Sequence, residues 1–513
     1  MSDRLLRQLR RHRHLAELAA FPFGFDLDRA AHGHVEPVRL ASGGPLEVLA
    51  GDDTGGTFFR CPDGSVLYAD SEGGAGIVGA SVDEALEILI GLPGWPDHLD
   101  LSPADGAETI LARVAETEEE LRECYGIDAE RAELRAALGL PERSPVELVG
   151  MLHAALLRTE PEHVLLNAEE GRAYRLLDGH PRPPLWERVL AEGRAGLARL
   201  RAGDTSVAGD PVRRRLVLRA AQFDRADGDL PLLRLLLRRE AESSMTDELR
   251  LAAVLVGLHG DPADLPLLHE VRETDFDTWC GLGGLPEPEA GGAALRRWAE
   301  GLDASLFGGA DPADEPESTW TDLAAAQGLT EPARVALIRR LDAIEMDQSL
   351  LRRPGDPTAL DPSPLAALAF DFEHLGDLDQ ALRAQRLYAA LRDSAWDRVS
   401  ALHDQARLER ATGRLVPAAR SLARLREILT APGDDSLGYW REVNLGRYLA
   451  QEHYALVRAL ADADLLAEAR AALAGGGAIR AELRGAARAG LDETAAEAAE
   501  HIAAAERRTA EVS

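Results

Sequence analysis

Lysine is absent from this chain; all 57 basic residues are arginine. That absence excludes whole chemistries. No Schiff base can form on an ε-amine, no P-loop lysine can hold a phosphate, and no kinase-type lysine is present. Cysteine is scarce too. Cys61, Cys124 and Cys280 lie far apart, which rules out a disulfide framework or a metal-ligand spacing and points to a reducing cytoplasm. No apolar run reaches ~18 residues, so no membrane span is expected. Arg4, Arg7, Arg10, Arg11 and Arg13 crowd the N-terminus without an apolar segment behind them, unlike a secretory signal. Aromatic residues make up 5% of the chain, with none of the basic-aromatic interleaving of single-strand nucleic-acid binders.

Net positive charge is also missing. With 88 acidic residues the formal charge is −31, which argues against nucleic acid as the main partner. Acidity of this size keeps a large helical protein soluble, and it suits a basic protein partner. No G-x-S-x-G, H-E-x-x-H or P-loop pattern occurs. Gly74-Ala75-Gly76-Ile77-Val78-Gly79 spells GxGxxG, but the helix signal begins only after Ser81. A dinucleotide site needs those glycines to open the helix, so the run reads as strand. The H-x-H pairs His12/His14 and His32/His34 lack further convergent ligands. Cys280 with His269 has no visible orienting group or oxyanion donors. No catalytic, cofactor or metal site is therefore expected, and the chain reads as a non-enzyme.

What is present is mostly helix. The exception is a block near the N-terminus. Val35–Leu40 and Leu46–Ala50 read as strands; Gly55–Arg60 and Ser65–Ala69 flank a Pro62-Asp63-Gly64 turn as a hairpin; Gly76–Gly79 follows. Residues 3–20 read as one amphipathic helix, with Leu5, Leu9, His12, Ala16 and Ala19 inward. Ser81-Val82-Asp83-Glu84 is a capping box opening a helix to about Leu92. Helices are also expected at Glu108–Glu123, Ala129–Leu138, Pro145–Leu157 and Pro184–Leu200, with a short strand at His163–Leu166.

Phe21–Asp26, Gly55-Gly56-Thr57-Phe58-Phe59, Val66-Leu67-Tyr68, Glu72-Gly73-Gly74-Ala75-Gly76-Ile77 and the helix ending Leu92-Pro93-Gly94-Trp95 together resemble the SUKH superfamily. The resemblance covers roughly residues 3–100. It implies a mixed sheet flanked by helices and, as in the family's bacterial immunity proteins, neutralisation of a toxin by direct binding. It brings no catalytic residues.

Two internal repeats follow. Asp229-Leu230-Pro231-Leu232-Leu233 returns as Asp264-Leu265-Pro266-Leu267-Leu268, and 266 − 231 gives a period of 35 residues. Proline suits the first turn of a helix because its missing N–H would be unbonded there. Paired helices at this period resemble HEAT repeats. Gly376-Asp377-Leu378-Asp379-Gln380-Ala381-Leu382 is echoed by Gly413-Arg414-Leu415-Val416-Pro417-Ala418-Ala419, 413 − 376 = 37 residues on, and more faintly by Ala463–Ala469. This pattern resembles the tetratricopeptide repeat, with Glu409 at a usually aromatic position.

The fold expected is an α+β head, a small mixed sheet flanked by helices, followed by a mostly α-helical solenoid. Residues 1–105 form the SUKH-like domain, 106–205 a helical connector, 206–300 HEAT-like repeats, 301–360 a linker and helix, and 361–513 tetratricopeptide-like repeats. The function expected is non-enzymatic protein binding, as an immunity-type protein facing a basic toxin or as a general scaffold; an enzyme of unrecognised type is the remaining alternative. Asp52, Asp53, Asp70 and Glu72 near the strand edges are candidate contacts. Asp275, Phe276, Asp277 and Trp279 form a second candidate patch, the other reading of its aromatics being repeat core.

Overall fold

The computed structural model describes residues 4–307, 311–350, 363–431 and 437–512. Residues 308–310 and 351–360 of the expected linker lie outside the described residues. The fold is an α+β head followed by a helical region, predominantly α, with 22 α-helices among the described residues. The chain divides into two compact units, one of Met1–Ala168 with Ala173–Ala336, the other of Glu169–Arg172 with Leu337–Ser513. Among the described residues no helix is long and apolar enough to cross a membrane.

In the first unit seven strands form: β1 Val38–Leu40, β2 Glu47–Gly51, β3 Thr57–Arg60, β4 Val66–Ala69, β5 Gly74–Gly79, β6 Leu165–Asn167 and β7 Arg175–Leu176. The main sheet runs β2-β3-β4-β5-β7, and β1 pairs with β6. All pairings are antiparallel except β5 with β7. Side chains alternate between two cores, as a period of two requires. Phe58, Val66, Tyr68 and Val78 join one cluster, with Leu5, Leu9, Leu86, Leu89 and Leu152. Phe59, Leu67, Ala69 and Ile77 join another, with Leu40, Leu165 and Tyr174. A sheet buried on both faces reads as nearly continuous apolar runs, as β4 does.

Three features depart from the sequence reading. The N-terminal stretch is two helices, Arg4–Arg11 and Arg13–Ala20, broken at His12 in extended backbone. Leu5, Leu6 and Leu9 are buried while His12 is exposed. A straight helix would carry that imidazole into the same core, and burying an unpaired polar ring is costly. Second, the head's core continues past residue 105. The Pro145–Leu156 helix gives Leu148, Leu152 and Leu156 to the cluster holding Leu5 and Phe58. Third, the expected connector supplies two strands to the sheets, β6 where a short strand was expected at His163–Leu166 and β7 where none was. A parallel partner for β5 needs a long crossover, which the intervening helices supply. At Ser81 half of the expected capping box forms: Ser81 Oγ accepts from Glu84 N at 3.1 Å, while the Glu84 carboxylate accepts from Ala80 N at 3.1 Å rather than from Ser81 N.

The 35-residue echo has one construction in both copies. A short 3-10 turn, Asp227–Asp229 or Pro262–Asp264, leads into helix Leu230–Glu240 or Leu265–Arg272. Asp229 and Asp264 are both buried. Arg201, ending the Leu185–Arg201 helix, meets Asp229 at 2.7 and 3.0 Å. Arg234, inside the first copy, grips Asp264 through both Nε and Nη2. Each carboxylate is thus held from the second helix back, across the intervening Pro211–Phe223 or Asp247–Leu258 helix, by a forked charge-assisted contact.

In the second unit, helix Ser363–His374 turns into Leu378–Ala390, Ala395–Ala411 into Leu415–Thr430, and Asn444–Asp462 into Leu466–Glu482. Gly376 and Gly413 both have φ near +74°, and Asp464 has φ +58°. The third echo is therefore shifted by one from the sequence alignment: Asp464, not Ala463, occupies the glycine position. Ala381, Ala418 and Ala469 each follow five residues later and are fully buried. Glu409 is buried where an aromatic was expected, and its carboxylate is answered by Ser421 Oγ at 2.7 Å, Arg386 at 2.9 Å and Gln405 at 3.1 Å.

Candidate functional site

The antiparallel order of β2-β3 and β4-β5 places their two connecting turns at one end of the main sheet. Both turns have the spelling Asp-x-x-Gly-Gly, as Asp52-Asp53-Thr54-Gly55-Gly56 and Asp70-Ser71-Glu72-Gly73-Gly74. The first aspartate organises each turn in the same way. Asp52 Oδ1 accepts from Thr54 N at 2.9 Å and Gly56 N at 2.8 Å. Asp70 Oδ1 accepts from Glu72 N at 2.8 Å and Gly74 N at 2.7 Å. Asparagine and aspartate favour such turns because the short side chain reaches its own backbone. Ser71 Oγ donates to Thr54 O at 3.2 Å, tying one turn to the other.

The four acids expected as contacts are thus brought together, but with two different tasks. Asp52 and Asp70 are half-buried and face their own backbone. Asp53 and Glu72 are exposed at the turn tips. Asp52 Oδ2 accepts from the Tyr68 hydroxyl at 2.6 Å. A Cβ on Gly56 would overlap that hydroxyl, so the doubled glycine is needed there for close approach. Burial, and then the Asp52 carboxylate, push the Tyr68 pKa up, so this phenol stays a donor.

Beside this end lies a hydrogen-bonded chain that the sequence did not reveal. His34 Nδ1 contacts Thr57 Oγ1 at 3.0 Å, and Nε2 contacts the Tyr174 hydroxyl at 3.1 Å. Tyr174 donates to Glu36, and Asn167 Nδ2 donates to the other Glu36 oxygen at 2.8 Å. Since Tyr174 gives its proton to a carboxylate, its oxygen accepts from His34 Nε2–H, and Nδ1 accepts from Thr57. Burial lowers the His34 pKa against the pull of Glu36 and Asp70, and raises that of Tyr174 together with Glu36. Every group in the chain has its partner, and Thr57 is buried. The arrangement ties β1 and β6 to the acidic end rather than presenting a nucleophile. The repeated Asp-x-x-Gly-Gly spelling was the available signal for the turns; Glu36 and Tyr174 are too far apart in sequence to signal each other.

The second expected patch lies on the short helix Phe276–Gly281. Asp275 caps it, accepting from Thr278 N at 2.8 Å and Thr278 Oγ1 at 3.0 Å. These bonds, the backbone one first, hold the Asp275 carboxyl below its usual range. Phe276 is 76% exposed and Trp279 51% exposed, so the repeat-core reading of the two rings fails. The Asp275 cap and the (i, i+3) spacing turn both rings outward. They lie nearly parallel, 6.4 Å apart, with the Arg272 guanidinium 5.2 Å over Trp279. Asp277 is exposed beside them.

The other candidates separate. His14 pairs with Glu133 at 2.8 Å, and His12 is exposed. His269 gives its Nε2–H to the Pro286 carbonyl at 2.9 Å, and Cys280 is exposed. Burial pushes the Cys61 thiol up to about 12, the opposite of activation. Among the described residues no cluster of three or more His, Cys, Asp or Glu is arranged for a metal ion. No family model, curated protein or solved structure matches this chain.

Proposed function

We propose that this protein acts by binding another protein, without catalysis, and that the acidic end of the head sheet is the contact surface. The observation that carries this reading is the division of labour in the paired turns: Asp52 and Asp70 fix the backbone, and Asp53 and Glu72 are displayed on it. Two carboxylates on pre-shaped tips cost little ordering entropy when a cationic surface arrives. Charges of this kind steer association more than they hold it. The SUKH resemblance of the head favours a basic toxin as the partner and an immunity-type role.

The test is capture of partner by the full chain at low and high salt. Asp53→Lys with Glu72→Lys is expected to abolish capture at low salt while leaving the melting temperature unchanged. Unchanged capture by this double variant rejects the acidic end as the binding surface.

The Phe276–Trp279 pair supports a second reading, a scaffold that binds through its helical repeats. Exposed aromatic pairs beside an arginine are typical anchors of protein interfaces. Loss of capture in Phe276→Ser/Trp279→Ser, with Asp53 and Glu72 intact, would favour it.

A further inference from the structure

Arginines in the second unit characteristically meet carboxylates. Arg386 meets Glu409, Arg407 meets Glu373, Arg410 meets Glu452 and Arg414 meets Asp379. Arg398 and Arg424 form no ion pair among the described residues. Arg420, Arg426, Arg447 and Arg508 form none either, and what distinguishes Arg398 and Arg424 is that they meet at one cavity.

Both line a cavity of about 200 Å³ between the helices Leu378–Ala390, Ala395–Ala411 and Leu415–Thr430. Arg386 and Gln405 line it as well, and both are fixed by hydrogen bonds to buried Glu409. The remaining wall is Ala389, Ala390 and Leu402. Arg386 is already paired with Glu409, so the uncompensated charges at the cavity are those of Arg398 and Arg424, and an anion between them gains charge-assisted hydrogen bonds. The volume is below the ~300–1,000 Å³ usual for cofactor and drug-sized ligands, which excludes a nucleotide. Inorganic phosphate would leave the methyl-lined wall unused.

We infer that this cavity binds a carboxylate carried on a short apolar stem. Arg398 and Arg424 grip the carboxylate, and Ala389, Ala390 and Leu402 cover the stem. The same chemistry occurs in a free short-chain acid and in a glutamate side chain of a peptide.

Calorimetric titration of the full chain with butyrate, with N-acetylglutamate α-amide and with inorganic phosphate separates these sources. Saturable binding of butyrate assigns a free acid; binding of the glutamate amide alone assigns a peptide. In either case Arg398→Ala and Arg424→Ala are each expected to weaken binding at least ~10-fold. Neither residue is in an ion pair, so both variants keep the parent melting temperature. Ala389→Leu, which fills the cavity without removing charge, is expected to block binding as well. Arg420→Ala removes the same charge from the same helix outside the cavity and is expected to change nothing. The inference is overturned if neither carboxylate binds saturably, if phosphate binds as tightly as both, or if Arg398→Ala/Arg424→Ala binds like the parent.

Discussion

Tyr68 donates its hydroxyl to Asp52 Oδ2 at 2.6 Å, across a position that only glycine can fill. The bond joins the middle of the sheet to the tip of the first acidic turn. Tyr68 is itself wedged among Phe58 and Trp95, with ring centroids 4.8 and 5.0 Å away. The shape of the proposed contact surface therefore depends on a buried phenol rather than on the acids displayed there.

Tyr68→Phe keeps those ring contacts and removes only the donor. It is expected to cost about 1–3 kcal/mol, the usual penalty for stranding a partly buried acceptor. Amide hydrogen exchange should quicken at Thr54 and Gly56 and stay unchanged at Glu72 and Gly74. Equal quickening in both turns would show that the Asp52 turn is not separately held.

Arg234→Ala strips Asp264 of its forked partner and leaves a buried carboxylate facing fewer donors. A loss of about 2–3 kcal/mol is expected, read as a lower melting temperature of the first unit. Asp264→Asn should lose less, because the amide is neutral. A double-mutant cycle between the two positions measures the coupling directly; a coupling near zero would contradict the forked contact.

His453 is buried, gives its Nδ1–H to Leu449 O at 2.8 Å, and is pushed down to about 4 by burial, with Arg426 and His403 adding to the fall. A base whose folded pKa lies below its unfolded value favours the native state while it is neutral. Its contribution is complete above the unfolded value of ~6.5 and is lost as pH falls towards about 4. The difference amounts to roughly 3 kcal/mol. Melting of the second unit should drop as pH falls from about 6.5 to about 4, and His453→Gln should flatten that drop. A variant with the parent's pH slope would place the titration elsewhere.

Much of the helical layout was legible because helix ends announce themselves. Ser81, Ser144 with Pro145, and Pro231 and Pro266 all stand where the helices begin. Hairpin strands β2 to β5 were legible because their partners are sequence neighbours. β7 was not, since two residues, Arg175 and Leu176, carry no strand signal and owe their place to Gly74 and Ala75. The same limit applied to the site. Asp53 and Glu72 could be read as turn acids, but the inward task of Asp52 depends on where the Tyr68 ring points. The Arg201 and Arg234 contacts require knowing how one helix seats against the next, and a repeat period does not state that. Asp464 escaped because a left-handed backbone there is signalled by glycine in the other two copies, and aspartate tolerates it at a cost of ~1 kcal/mol.

The Arg234–Asp264 contact gives the array of helix pairs a modular joint. The first copy offers a socket backward, Asp229, and a plug forward, Arg234, whereas the second offers the socket Asp264 but has His269 at the plug position, turned to the Pro286 carbonyl. Duplication of the first copy, which carries both, would give the added unit a partner on either side, whereas duplication of the second would leave its added aspartate with a histidine behind it in place of an arginine.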